Sequence, residues 1–393
     1  MHVSRICSDL VAIRSENPPD CTSDCIEYIC SFLDGLGIQS RVIGTPDGQD
    51  NLVTTGPVHD LLLCGHVDVV PALGTGWKND PFSGLIDDQY VYGRGSTDMK
   101  GGCAAILSAC EMFVNAGTEL PATLAFVCDE ETGGENGIRR LLADNTLSRP
   151  CDCIIAEPTP ARHPNIGQKG LCRMDIQFQG TPAHGSLYPA VGVSAIMEAV
   201  ALLDYVKALH EREYPVSDEL KEIIQQSSAV LGEEFRIAGV SDILKKLTFN
   251  PGTINGGEKS NVVAQHCSLE LELRIPWGCS IPDIIAGIAA HAPNGKISSL
   301  ETHEPSITEP RSQIVTITCK EVERAFGGPV FPILQWAASD ARHLRRAGFR
   351  VIEHGPGEIS TLHAVNERVT VESLEKASAV YQGVMRAYAG KES

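Results

Sequence analysis

"LLLCGHVDVVP", residues 61–71, opens as an apolar run and closes on a histidine and an aspartate two positions apart. Four consecutive apolar residues are too few for a helix and suit a strand buried on both faces. Side chains alternate along a strand, so His66 and Asp68 are expected on one side at its carboxyl end. Two more runs repeat the pattern: TLAFVC at 123–128 leads into DEE at 129–131, and CIIA at 153–156 leads into Glu157. Between the first two, the spacing predicts an amphipathic helix from about 99 to 116, stopped by Gly117. NGIRRLLADN, at 136–145, predicts another. Strand alternating with helix is the doubly wound α/β pattern, in which ligands bind beyond the carboxyl ends of the strands.

Working outward, residues 4–14 and 22–36 carry helical periodicity on either side of the breaker NPP at 17–19. Near residue 171 the texture changes. LCRMDIQFQG alternates apolar and polar positions, as a half-exposed antiparallel strand does. A helix follows over about 189–210, then a polar helical stretch over about 217–246, a second alternating strand in NVVAQHCSLELELRIP and a helix in SIPDIIAGIAAHAP. Residues 172–304 are therefore expected to form an inserted α+β domain, and 1–171 with 305–393 the α/β domain that it interrupts. Helix and apolar strand return after 305, with a last helix over about 371–389.

The 393 residues carry a formal charge of −18, a surface that repels phosphate backbones and anionic membranes, so neither nucleic acid nor membrane is expected as a partner. Fourteen scattered cysteines, several inside apolar runs, predict a reducing, cytoplasmic setting without structural disulfides. No signal-type apolar core opens the chain, and no window is long enough to span a bilayer.

Three strands ending in His66 and Asp68, in Glu130 and Glu131, and in Glu157 gather carboxylates and an imidazole along one edge. Clustered carboxylates repel one another unless a cation offsets them, which points to a divalent metal. Asp98, in YGRGSTDMKGG, is either a further ligand or the N-cap of the helix that follows.

GHVDVVP, YGRGSTDMKGG, DEETGG, AEPT, GTPAHGS and HAVNE, in that order, resemble the motifs of a two-zinc metallohydrolase family: the succinyl-diaminopimelate desuccinylases, acetylornithine deacetylases and aminoacylases. The resemblance implies a zinc-peptidase-like catalytic domain with an inserted lid and dimerisation domain. It implies that His66, Asp98 and Glu157 hold one zinc and that Asp98, Glu131 and His363 hold the other, with Co²⁺ or Mn²⁺ as substitutes. Asp68 would orient His66, and Glu130 would serve as general base for a metal-bound hydroxide attacking the amide of an N-acyl amino acid. A cis peptide is implied at Asp98–Met99. His184 would donate to the oxyanion, and Asn261 and Arg274 would hold the substrate carboxylate. A homodimer through the inserted domain is implied as well. The chain departs from the family in having Ala264 after NVV, where proline is frequent, and in a longer stretch at 210–246.

Other chemistries fare worse. GRGSTD lacks the last glycine of a dinucleotide fingerprint, and no G-x-S-x-G elbow occurs. A carboxypeptidase or dipeptidase with the same metals stays open, as does a non-catalytic binding protein on the same fold.

Overall fold

Strands Leu61–His66, Thr123–Val127 and Asp152–Ile155 lie side by side and parallel, Leu61–His66 in the middle. A computed structural model describes residues 2–390. Strand Arg350–Glu353 extends the parallel set beyond Asp152–Ile155, with Arg350 opposite Asp152. The flanks are antiparallel: Asn51–Thr54 and Ser40–Ile43 on one side, Asn165–Gln168 and Ser306–Ile307 on the other. Ile333–Gln335 adds a ninth strand, parallel to Asn165–Gln168. The sheet is thus mixed, with the expected parallel core at its centre.

The helix expected at 99–116 runs Lys100–Asn115. It is not amphipathic in its first eleven residues, which are all buried, because it passes between the sheet and helices Val3–Ala12 and Val371–Ala389. Small residues permit that approach. A Cβ on Gly102 would stand 2.2 Å from the Ala156 carbonyl oxygen, so glycine is required where the helix meets the strand end that carries Glu157. Lys100 is buried too; its Nζ donates to the carbonyls of Leu10 (3.0 Å) and Ile13 (2.6 Å), closing the end of the first helix.

The inserted body is a four-stranded antiparallel sheet in the order Gly295–His303, Gly170–Gln179, His266–Ile275, Thr248–Gly256. Cys172, Met174, Ile176 and Phe178 alternate inward and, with Leu269, Leu271 and Leu273, pack under helices Ala195–His210 and Ile281–His291.

The polar helical stretch departs from the division at 172 and 304. Helices Asp218–Phe235 and Val240–Lys245 bury Ile223, Ile224, Leu231, Val240 and Leu244 in the core of the larger body. Ser227 Oγ accepts from the Leu334 amide at 2.9 Å, so the longer insertion covers strand Ile333–Gln335. At the junction, Lys169 Nζ donates to the carbonyls of Ile243 and Lys246, both at 2.7 Å, tying the two crossings together. All fourteen cysteines are free. Among the described residues no helix is long and apolar enough to cross a membrane.

Candidate metal centre

His66 ends its strand, 2% exposed, with Nδ1 2.9 Å from the Asp68 carbonyl oxygen and 3.4 Å from Asp68 Oδ1. A proton on Nδ1 leaves the lone pair on Nε2, which faces Asp98 Oδ1 at 3.1 Å and Glu157 Oε1 at 3.7 Å. The Asp68 carboxylate does more than hold this ring. It also accepts from the amides of Glu130 and Glu131, each at 3.2 Å, and so orients the glutamate pair.

Asp98 caps no helix, for Lys100–Asn115 has no side-chain cap, and the Asp98–Met99 peptide is cis. Its two oxygens divide their contacts: Oδ1 faces His66, and Oδ2 lies 3.2 Å from His363 Nε2. Burial alone would raise the Asp98 pKa, but the His363 and His66 rings beside it hold it well below the usual carboxylate range.

Glu130 and Glu131 sit on a 3₁₀ turn, Glu130–Thr132, that follows Asp129 in a left-handed conformation (φ 57°), rather than on the strand end itself. Asp129 accepts from the amides of Asn136 (2.7 Å) and Gly137 (2.8 Å), closing the loop. Glu131 Oε1 lies 3.3 Å from His363 Nε2 and is buried without a hydrogen-bond partner. Burial, then neighbouring acids, pushes the Glu130 and Glu157 carboxyls well above their ordinary range, and Glu131 is raised for the same reasons.

Two groups result, His66–Asp98–Glu157 and Asp98–Glu131–His363, the donor atoms within each lying within 4.8 Å of one another. Nitrogen and oxygen donors without a thiolate suit a borderline divalent ion. Four carboxylates, Glu157 buried and Asp98, Glu130 and Glu131 partly buried, face two imidazoles, an excess of negative charge that two dications would offset. The orphaned Glu131 oxygen points the same way, and the residues present fit a dinuclear metal site. Asp98, Glu130, Glu131, Glu157 and His363 border a cavity of about 280 Å³ with Leu362, Ala337 and Ser339.

Sequence reasoning missed a buried pair that joins the two halves of the second group. Arg94 and Glu367 form a close ion pair; Glu367 Oε1 accepts from the amides of Thr97 (2.9 Å) and Asp98 (3.1 Å), and Arg94 Nη2 donates to the His363 carbonyl at 3.3 Å. Both residues lie inside the quoted motifs, in GRGSTD and HAVNE, which was the available signal.

Arg274 borders a cleft of about 470 Å³ that shares Glu130 and Glu131 with the metal cavity, and its Nη2 lies 2.8 Å from Glu272 Oε1. His184 and Asn261 border neither space. They adjoin each other on the inserted body, where Gly185 N donates to the Asn261 carbonyl at 2.8 Å, and both are exposed. His184 Nδ1 lies 2.8 Å from Ser186 Oγ, leaving Nε2 directed outward from that contact.

The model of peptidase family M20/M25/M40 matches residues 62–387. The chain is 26% identical over 400 residues to a succinyl-diaminopimelate desuccinylase of Alkalilimnicola ehrlichii, covering 98% of both chains. It is 28% identical over 399 residues to one from Psychromonas ingrahamii, covering 97% of both. Among solved structures, an M20 family metallo-carboxypeptidase from Sulfolobus solfataricus superposes with a TM-score of 0.79 at 18% identity, covering 99% of both chains. A di-peptidase from Saccharomyces cerevisiae gives 0.76 at 16% identity, covering 100% of this chain and 96% of that one.

Proposed function

The chain belongs to peptidase family M20/M25/M40, and from that premise we propose that it is a dinuclear zinc amidohydrolase that removes the acyl group from an N-acyl amino acid, of the succinyl-diaminopimelate desuccinylase type. The observation that carries this reading is the pair of ligand groups sharing Asp98, with Glu130 in the same cavity but in neither group. Two dications held by His66, Asp98, Glu157, Glu131 and His363 would supply Lewis acidity to the acyl carbonyl and acidify the attacking water. Glu130, half-buried beside both groups, takes up the water's proton and returns it to the leaving nitrogen. Arg274 anchors the α-carboxylate, while Asn261 and His184, which adjoin each other on the inserted body, would reach the site from a second copy, His184 donating to the developing oxyanion.

A zinc-loaded panel of N-succinyl-diaminopimelate, N-acetylornithine, other N-acetyl amino acids and dipeptides tests the reading. The highest kcat/KM is expected on an N-acyl amino acid, and a profile confined to dipeptides sinks it in favour of a peptidase. Within the panel, Arg274→Ala is expected to cost about 2–5 kcal/mol in kcat/KM, from loss of a charged partner in the cleft. Equal wild-type rates on free and esterified α-carboxylates would argue against this anchor.

The proposal includes a homodimer. His184 stands on a face of the inserted body that exposes Leu187, Tyr188, Val191, Val193, Met197 and Val262, a patch suited to a second copy. Each site would then take its oxyanion donor from the other chain. Glu130→Ala and His184→Ala, each inactive, are mixed after dissociation and reassembled. Random pairing makes half the dimers mixed, with one complete site in two, so roughly a quarter of wild-type activity is expected to return. Confirmed mixed dimers without activity would place the action of His184 within its own chain or nowhere.

A further inference from the structure

The NPP breaker at 17–19 does more than part helices Val3–Ala12 and Ser23–Gly35. Its first residue, Asn17, donates from Nδ2 to Asp68 Oδ2 and to Thr132 Oγ1, both at 3.2 Å. Asp68 is fully buried, and its carboxylate also holds the amides of Glu130 and Glu131. A carboxylate only accepts, so the nitrogen of the Asn17 amide must face it, and both N–H bonds of that nitrogen are then spent. Thr132 closes the turn Glu130–Thr132 and passes the link on, its hydroxyl donating to the Asp129 carbonyl at 3.3 Å. The turn needs such ties. It stands between Asp129, left-handed at φ 57°, and two glycines of positive φ, Gly133 and Gly134, so its own backbone does little to stiffen it. The segment that carries Asn17 is seated by other groups. Ser15 Oγ donates to the Val67 carbonyl (2.7 Å), Val69 N to the Ser15 carbonyl (3.0 Å) and Asn17 N to the Val69 carbonyl (2.9 Å). Buried Glu16 accepts from the Ala72 amide at 2.7 Å. Residues 15–17 thus run beside the continuation of strand Leu61–His66 whatever side chain stands at 17.

We infer that Asn17 is a positioning residue for the general base: one amide, bonded to both the Asp68 carboxylate and the Thr132 hydroxyl, fixes the turn that presents Glu130 against the strand end that presents His66. This rests on the assignment of Glu130 as base in the hydrolase reading, and adds to it a residue outside every motif quoted above. Asp68 contacts His66 on one side and the turn on the other, so any drift of its carboxylate displaces base and ligand relative to each other. Without Asn17, Oδ2 would keep the Glu131 amide alone and Thr132 would lose its tie to the first segment. Other residues fit poorly. Aspartate would set two acceptors of like charge face to face. Glutamine would carry the amide about 1.5 Å further, one carbon–carbon bond. A misplacement of about 1 Å between reacting groups can cost roughly 100-fold in rate, so the tie bears on catalysis as well as on the fold.

The test measures hydrogen exchange and kinetics on the zinc-loaded full chain. In Asn17→Ala, the amides of Glu130 and Glu131 are expected to exchange about 10-fold faster or more, while the position-17 amide, bonded to Val69, keeps its protection. The same variant is expected to lower kcat by about 10–100-fold with KM and zinc content held. Thr132→Val should move both readouts in the same direction, and Thr132→Ser should restore them. Should Asn17→Ala fail to fold, Thr132→Val carries the test from the other end of the bond. The deciding comparison adds Asn17→Ala to Glu130→Gln. A residue that acts through the base has nothing left to act through, so no further loss in kcat is expected. Unchanged exchange and kcat in folded Asn17→Ala overturn the assignment. So does a full additional loss on the Glu130→Gln background, or a loss of zinc, either of which would place the action of Asn17 elsewhere. Failure of the deacylase reading shows separately, as absent hydrolysis of every N-acyl amino acid, and the exchange measurement, which uses no substrate, still decides.

Discussion

Glu130→Gln is expected to keep both metals and to lower kcat by about 10²–10⁴-fold, roughly 3–5 kcal/mol of transition-state stabilisation. Glu130 belongs to neither ligand group, so its amide counterpart removes no donor to the metals. It borders the cavity lined by residues of both groups, and burial, more than the neighbouring acids, raises its pKa. A carboxylate beside the attacking water and outside both ligand groups is placed to take its proton and return it to the leaving nitrogen. Glutamine keeps the volume and loses the proton acceptor. Glu131→Gln is the contrast: Glu131 Oε1 lies 3.3 Å from His363 Nε2, so that change should lose metal from the second group alone. Metal content by atomic spectroscopy, read beside kcat, separates the two. Full activity in Glu130→Gln would remove it from the chemistry, and lost metal would make it a ligand.

Asp98→Asn is expected to empty both groups at once. Asp98 is common to both, one oxygen 3.1 Å from His66 Nε2 and the other 3.2 Å from His363 Nε2. An asparagine supplies one carbonyl oxygen, turns an N–H donor towards one of those two positions and removes a charge that both ions need. Partners one step removed from a metal typically cost 10–100-fold in affinity, so loss of a shared ligand should cost about 10³-fold or more at each position. Glu157→Gln, which touches only the first group, should leave the second measurable. Calorimetric zinc titration of the folded variants decides this. Two ions still bound to Asp98→Asn with near-native affinity would show that Asp98 is not the shared ligand.

The residues of both groups could be read from the sequence because each follows a short apolar run or falls within an ordered motif. Strand runs at 61–64, 123–128 and 153–156 announce themselves through local periodicity, and parallel pairing then brings their ends to one edge. The inserted sheet was legible for the same reason: Cys172, Met174, Ile176 and Phe178 keep a period of two. Periodicity speaks only of faces, however, and is silent on what each face meets. It therefore assigned helix Lys100–Asn115 an exposed side that the flanking helices cover, and placed 218–245 with the inserted body although their apolar side chains complete the larger core.

Pairings across long separations lay beyond it altogether. Arg94 and Glu367 stand 273 residues apart, and each alone reads as an ordinary charge; only the folded chain makes them one buried pair holding Asp98 and His363 together. The same holds for Arg139 and Arg342, brought to one cleft by two short helices that pack against each other. The sequence by itself determined which residues have the chemistry to hold metal and which segments form the sheets, because neighbouring residues encode both. Which charges are neutralised, and by which partner, was decided by tertiary structure alone, since a charge's partner is set by packing between distant segments.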